Sequence, residues 1–503
     1  MSISQMSISE IAEWNEWWKT GKFAQSDPNI EDWSQSKFQW KPRLIETFEQ
    51  EEVLYLLRGP RRVGKTTLIK LMIKKYLENG TPPENILFFP CDAVETPKQL
   101  VAAIDTYLTR KRRRGTWAHI FIDEVSMLRD WQKAVKTLTD AGKFKECTVI
   151  LTGSHSIDLR KGSESLSGRR GKIQNLKYGS VDKILLSAKF SEYVETLNPD
   201  MSQQIRGLRL LSQENRQRIL LELACGNIPP EIDSLSLFVK ELDCLLDQYM
   251  ITGGIATAIN QYVSKGKISE ATYTDYVSLV IRDIARYGYY EHYMRQILRR
   301  VFEVTSSRIS WNDLKSGTDI RDSKTAEKYA QILKDSFIIS YHYLLNVEKR
   351  SPDYISTKKI YIQDPFIFHA LRGWVYGKRA FDFSNDFLVT NENKGKLVES
   401  ILSNHLSRFM FKTNPSPLFD ASNYVFYWKG KKREVDYVID LGGKLLPIEV
   451  KYSNNVQGDD ADGLYDIIKT GCTYKYGLVT SKTQLAVGRH YAIVPLSILL
   501  LLT

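Results

Sequence analysis

Cysteine is scarce and scattered. The five cysteines in 503 residues (Cys91, Cys147, Cys225, Cys244 and Cys472) form no C-x-x-C pair. Neither a disulfide framework nor a zinc site is therefore expected, and a reducing intracellular compartment fits. No apolar stretch reaches the ~18–20 residues of a membrane span. The tail from Pro495 to Leu502 is too short and is expected to pack as a last strand or helix. The N-terminus sets Glu10, Glu13 and Glu16 among tryptophans, without the basic and apolar regions of a signal peptide. These absences predict a cytoplasmic protein with no membrane partner. What is present is 43% apolar and 26% charged, the balance of a soluble globular chain. The length exceeds one ordinary core, so several domains are expected. A net charge of +11 favours polyanionic partners without separating a nucleic-acid binder from a basic enzyme.

The chain is organised around Gly59-Pro60-Arg61-Arg62-Val63-Gly64-Lys65-Thr66-Thr67, which fits G-x-x-x-x-G-K-[ST]. Val53 to Leu57 before it is an apolar, strand-length run, and Leu68 to Leu77 after it has helical apolar spacing. Strand, glycine loop and helix thus follow in the order a triphosphate cradle needs. Backbone amides turn inward, and the helix N-terminus adds partial positive charge. Lys65 is placed to reach the β- and γ-phosphates of ATP, and the Thr66 hydroxyl to ligate Mg2+. His119 to Glu124 is a second apolar strand, ending in two carboxylates. Asp123 reads as the Mg2+ residue and Glu124 as the base that polarises the attacking water.

From Leu54 to Thr152 strands and helices alternate, which implies a parallel sheet with helices on both faces and the ligand at the strands' carboxyl ends. Thr152, Gly153 and Ser154 end the last of these strands near the expected γ-phosphate, where Ser154 is a candidate nucleotide contact. Upstream, Ile11, Trp14, Trp17 and Trp18 share one helical face, predicting an N-terminal helix packed on this core. Arg110 to Arg114 are consecutive cations; Arg112 and Arg113 are candidates to grip DNA phosphates, and a solvated loop accounts for the run equally well. Arg169 and Arg170 are candidates to reach a nucleotide, in cis or across a subunit interface.

Residues 186–300 read as mostly helical, with a close turn at Gly253-Gly254. Residues 300–345 read as a helix-turn-helix unit: a helix from Ser310, a turn at Gly317, a helix capped by Ser323, Leu333 and Phe337 in the core, and a wing strand from Ile338. Lys324, Thr325 and Lys328 fall on its outer face, suited to a major groove, although such units also serve as connectors.

Val425–Trp428, Glu434–Asp440 and Leu445–Tyr452 read as three antiparallel strands with turns at Gly430 and Gly442-Gly443. Strict alternation puts Val435, Tyr437 and Ile439 on one face and Asp436 on the other, and gives Glu449 and Lys451 a common face. A helix from Lys394 to Phe409 carries Glu399. Asp436, Glu449, the Val450 carbonyl and Lys451 can converge, with Glu399 above them, to hold Mg2+ and activate water against a phosphodiester. An ordinary Glu–Lys pair on a solvated hairpin is the alternative.

These motifs together resemble a known family. R-G-P-R-R-V-G-K-T-T, Asp123-Glu124-Val125 with Trp131, L-T-G-S and S-G-R-R are similar to prokaryotic AAA-type ATPases that carry a winged-helix segment and a C-terminal restriction-endonuclease-like domain. Tyr249 to Gly254 and Lys359 to Asp364 resemble the middle of that family. Glu434-Val435-Asp436 with Ile448-Glu449-Val450-Lys451 resembles its D…E-x-K nuclease core. The Lys177-Tyr178-Gly179-Ser180 segment departs from it, lacking the usual proline. The resemblance implies an α/β protein: an arm over 1–45, a P-loop parallel-sheet core over 46–185, a helical connector over 186–299, a winged helix over 300–350, a linker over 351–385 and a nuclease-like domain over 386–503. It implies ATP and Mg2+ as cofactors, Asp123 and Glu124 as the Mg2+ and base residues, and Asp436, Glu449 and Lys451 as the nuclease core. The expected activity is ATP hydrolysis with DNA cut under nucleotide control, in a homo-oligomer. A signalling switch or a DNA-remodelling motor, whose nuclease-like domain binds without cutting, is the alternative.

Overall fold

The computed structural model describes residues 6–23, 27–153, 156–177, 180–416 and 419–503. The chain divides into two compact units, Met1–Leu186 and Ser187–Thr503.

The first unit is built on five parallel strands: β1 (Leu54–Arg58), β2 (Ile86–Pro90), β3 (Ala118–Asp123), β4 (Cys147–Thr152) and β5 (Asp182–Ile184). Their order is β2-β3-β4-β1-β5. All four pairings are parallel, and the two strands beside β4 are β1 and β3. β3 and β4 are buried along their whole length, which is why they read as near-continuous apolar runs. Helices Lys65–Glu78, Pro97–Arg110 and Trp131–Asp140 supply the crossovers.

The N-terminal arm closes the β2 edge. The single helix expected there is instead two short ones, Ile8–Ala12 and Trp17–Thr20. The break has a purpose visible in the hydrogen bonds. Asn15 donates to the Phe88 carbonyl at 2.9 Å and accepts from the Phe88 amide at 2.7 Å. The indoles of Trp17 and Trp18 both donate to the Ile86 carbonyl. An edge strand's open backbone groups are thereby satisfied by side chains.

The second unit begins with eight helices between Phe190 and Val304. Gly253 sits at φ +54, and a Cβ there would meet the Asp364 carboxylate. Asp364 accepts from the amides of Gly254 and Phe366, joining the end of helix Val239–Thr252 to the start of helix Pro365–Tyr376. After the last of these eight helices, β6 (Arg308–Ile309), two helices (Trp311–Lys315, Ser323–Asp335) and the hairpin β7 (Ile339–Asn346) to β8 (Ser351–Ile362) follow. Asp322 caps the second of these helices, not Ser323. Phe337 is only half-buried, at φ +59. The expected linker over 351–385 is a twelve-residue strand followed by two helices, so this segment is structured throughout.

Six more strands, β9 (Val425–Lys429), β10 (Glu434–Leu441), β11 (Lys444–Glu449), β12 (Gly477–Ser481), β13 (Ala486–Val487) and β14 (Tyr491–Pro495), complete a nine-stranded mixed sheet of order β13-β14-β12-β11-β10-β9-β7-β8-β6. Helix Asn391–Thr413 precedes β9 and helix Asp462–Ile468 lies between β11 and the parallel β12. The expected alternation along β10 fails at one point. Pairing with β9 shifts between Val435 and Val438, a β-bulge. Val435 and Val438 therefore share the cluster with Phe426, Trp428 and Leu445, while Tyr437 reaches the other way to donate to the Glu399 carbonyl. A bulge re-aims the residues inside it, here Asp436.

Candidate functional sites

In the first unit the loop Gly59–Gly64 leads into helix Lys65–Glu78. A Cβ at Gly59 would overlap the Leu185 carbonyl, so the close approach of β5's end requires glycine. Gly64 takes φ +95, turning the chain into the helix. Lys65 is buried and its ammonium donates to the carbonyls of Gly59 and Pro60 at 3.1 and 3.0 Å, so it lies along the loop it is expected to serve. Asp123, 5% exposed at the end of β3, receives the Thr66 hydroxyl at 2.9 Å on one oxygen and the Thr152 hydroxyl on the other. Burial, then the Glu124 charge, pushes its carboxyl above the usual range, against the opposing pull of those two hydroxyls. Glu124 follows in the left-handed region at φ 51, its amide donating to Thr152 at 3.1 Å. A non-glycine residue held there stores strain of a kind found at working sites.

Three parallel strand ends thus bring Lys65, Thr66, Asp123, Glu124 and Thr152 together. The residues fit a magnesium nucleotide: a cradle that a Cβ would fill, a hard carboxylate, and a hydroxyl beside it. Thr152 holds both acidic residues in register; Ser154, predicted for this position, lies outside the described residues, as do Tyr178 and Gly179. The two arginines are engaged elsewhere. Arg169 pairs with Asp140 at 2.7 Å, and Arg170 forms a two-pronged pair with Asp182 at 2.6 and 3.1 Å. The latter ties the strand-like segment at Gly171 to β5.

The second unit gathers the other predicted set and adds an unpredicted member. Lys359 on β8, its side chain 1% exposed, puts its ammonium 2.7 Å from Asp436 and 3.1 Å from Glu434. The other Asp436 oxygen accepts from the Val450 amide at 3.0 Å. Lys451 pairs with Glu449 at 3.2 Å and lies 3.8 Å from Asp460. The remaining Glu449 oxygen is buried with no hydrogen-bond partner. Desolvation, then the Asp436 charge, pushes the Glu449 carboxyl well up. The same two causes raise Glu399 to about 8, where Tyr361 donates to it at 3.4 Å. Lys359 is held charged: the desolvation of its burial is outweighed by Asp436, Glu399 and Glu434.

This is not the expected Mg2+ cage. Asp436 faces a buried ammonium on one oxygen and accepts the Val450 amide on the other, so a cation already stands against it. Lysine ammoniums already supply positive charge to Asp436 and Glu449, and one carboxylate oxygen of the two, on Glu449, lacks a partner. Among the described residues no group of three or more His, Cys, Asp or Glu side chains could hold a metal ion. The sequence carries a faint sign of Lys359: Lys358 and Lys359 open an otherwise apolar strand end, Lys-Ile-Tyr-Ile, and alternation puts Lys359 and Tyr361 on one side.

The DNA candidates divide. Arg112, 11% exposed, donates to the carbonyls of Lys145, Thr116 and Glu146, so it staples loops. Thr325 bonds Asp322 through both its amide and its hydroxyl, a helix cap. Arg113, Lys324 and Lys328 are exposed.

Residues 51–180 match the family described as an AAA domain. Residues 244–376 and 394–499 match two families described as domains of unknown function, DUF8612 and DUF4143. An uncharacterized protein of Haemophilus influenzae is 21% identical over 446 residues, 86% of this chain and 90% of its own length. One of Methanocaldococcus jannaschii is 24% identical over 412 residues, 80% of this chain and 75% of its own. Among solved structures, the Aeropyrum pernix Orc1 protein in complex with DNA is 12% identical, covering 71% of this chain and 96% of that one, at a TM-score of 0.28. Thermotoga maritima RuvB is 17% identical, covering 63% and 89%, at 0.23. The family match and the P-loop geometry make the N-terminal segment an AAA-type ATPase domain, whose chemistry is ATP hydrolysis.

Proposed function

We propose that the protein is a DNA-binding ATP hydrolase whose C-terminal domain binds nucleic acid without cutting it in the arrangement described. The hydrolytic half is carried by one observation: Asp123 is held between the hydroxyls of Thr66 and Thr152, with Glu124 fixed beside it. The loop amides and the helix N-terminus bind the triphosphate of ATP. Lys65 turns from its own loop's carbonyls to the β- and γ-phosphates. Thr66 and Asp123 would hold Mg2+, which when bound neutralises phosphate charge. Glu124 orients water and takes its proton. Arg169, in a half-exposed pair that costs little to open, is the arginine available to a nucleotide in its own copy or a neighbouring one. Glu124→Gln should bind ATP and lose hydrolysis; hydrolysis at the wild-type rate would reject the assignment.

DNA binding rests on the net charge, on exposed Lys324 and Lys328, and on the order helix, short strand, two helices, hairpin over 291–362, which is that of a winged helix. The order helix, three antiparallel strands, helix, parallel strand over 391–481 supports a restriction-endonuclease-like core. Cutting is the second reading, favoured by the partnerless Glu449 oxygen beside Lys451. Plasmid incubated with Mg2+ and ATP separates the two. No cleavage is expected; cleavage abolished by Glu449→Ala would establish the second reading.

A further inference from the structure

The nine-stranded sheet curls so that its β8–β6 end meets β10. Lys359 on β8 reaches Glu434 and Asp436, and Arg308 on β6 reaches the other Glu434 oxygen at 2.8 Å, although β7 and β9 lie between these strands in the sheet order. The bulge in β10 aims Asp436 at this junction. Glu399 adds a third carboxylate to the same neighbourhood. Three acids gathered around one buried ammonium cannot all remain charged without a cation among them. In many acidic pockets that cation comes from solution; here it is part of the chain, on a side chain 1% exposed.

We propose that the Lys359 ammonium is the resident cation of the C-terminal pocket, standing where a divalent ion would otherwise sit against Asp436 and Glu434. It is a positioning residue: it fixes the two carboxylates and excludes free metal from them. The inference stands whether or not the domain cuts DNA, because it concerns which cation the acids hold. The charged ammonium 2.7 Å from the Asp436 oxygen repels a divalent ion brought to the same carboxylate, so the two compete for it. Removing the ammonium while keeping the carboxylates should turn the pocket into an oxygen cage for a hard ion.

The test uses the full chain without nucleotide, titrated calorimetrically with Mn2+. Wild type is expected to show no ion binding that Asp436→Asn removes. Lys359→Met should gain one Mn2+ site, bound at least ~10-fold tighter than by wild type, and lose it again when Asp436→Asn is added. Where Lys359→Met does not fold unaided, Lys359→Gln keeps a hydrogen bond to Asp436 without the charge. The thermal midpoint of whichever variant is used should rise with Mn2+ while that of wild type does not. An Asp436-dependent Mn2+ site in wild type overturns the proposal. So does a folded variant that takes no ion and gains no stability from one.

Discussion

Asp123 in the parallel sheet and Asp436 in the mixed sheet are 5% and 8% exposed, yet the groups that face them differ in charge. Asp123 takes its hydrogen bonds from two neutral hydroxyls, Thr66 and Thr152. Asp436 takes one from an ammonium and one from an amide. A buried carboxylate held by neutral donors keeps its affinity for an outside cation, whereas one paired to a buried lysine has already satisfied it. The difference separates a site made to exchange a magnesium nucleotide from a pocket made to stay closed around its own charge.

The contrast breaks most visibly at the base. Glu124→Gln should lower ATP hydrolysis by about 10²–10⁴ with ATP binding kept, in a steady-state assay, and Lys65→Ala should lose tight binding altogether. Next comes the buried pair. Lys359→Met and Asp436→Asn should each destabilise the chain by about 3–5 kcal/mol in urea unfolding, and the double variant by less than either. The neutral side is softer: Thr152→Val should cost about 1–3 kcal/mol by the same measurement.

Acid provides a finer comparison between the units. Burial pushes His119 in the first unit, and His342 and His369 in the second, down to about 4, and His405 further still. Their unfolded counterparts take a proton near pH 6.5 while the folded rings do not, so stability falls as pH drops from about 6.5 towards 4. Each of the first three should contribute a loss of about 2 kcal/mol at pH 5. The second unit, with three such histidines against one among the described residues, should lose native structure at higher pH; proteolysis across pH 7 to 4.5 reads this directly. Smallest is the effect of single surface cations: Lys324→Ala and Lys328→Ala should each lower the salt slope of DNA binding by about 1, with the fold unchanged.

How much of this was legible follows from how local each feature is. The ATP site could be read from sequence because strand, loop and helix are contiguous, and Asp123 ends its own apolar strand. The three-stranded hairpin array was equally local. Its pocket was not: Lys359 comes from a different strand, and the bulge that re-aims Asp436 depends on pairing with β9. Arg112 shows the opposite failure. A run of cations reads as solvated or DNA-facing, but one member is drawn inward by carbonyls of a loop that the sequence keeps distant. The segment 351–385 read as a linker because β8 begins polar and exposed before turning apolar at its far end.

The most direct measurement counts Mn2+ ions on the full Glu124→Gln chain with saturating ATP. One ion is predicted, lost on adding Asp123→Asn and unchanged on adding Asp436→Asn. A second ion that disappears with Asp436→Asn would contradict the division of labour between the two aspartates.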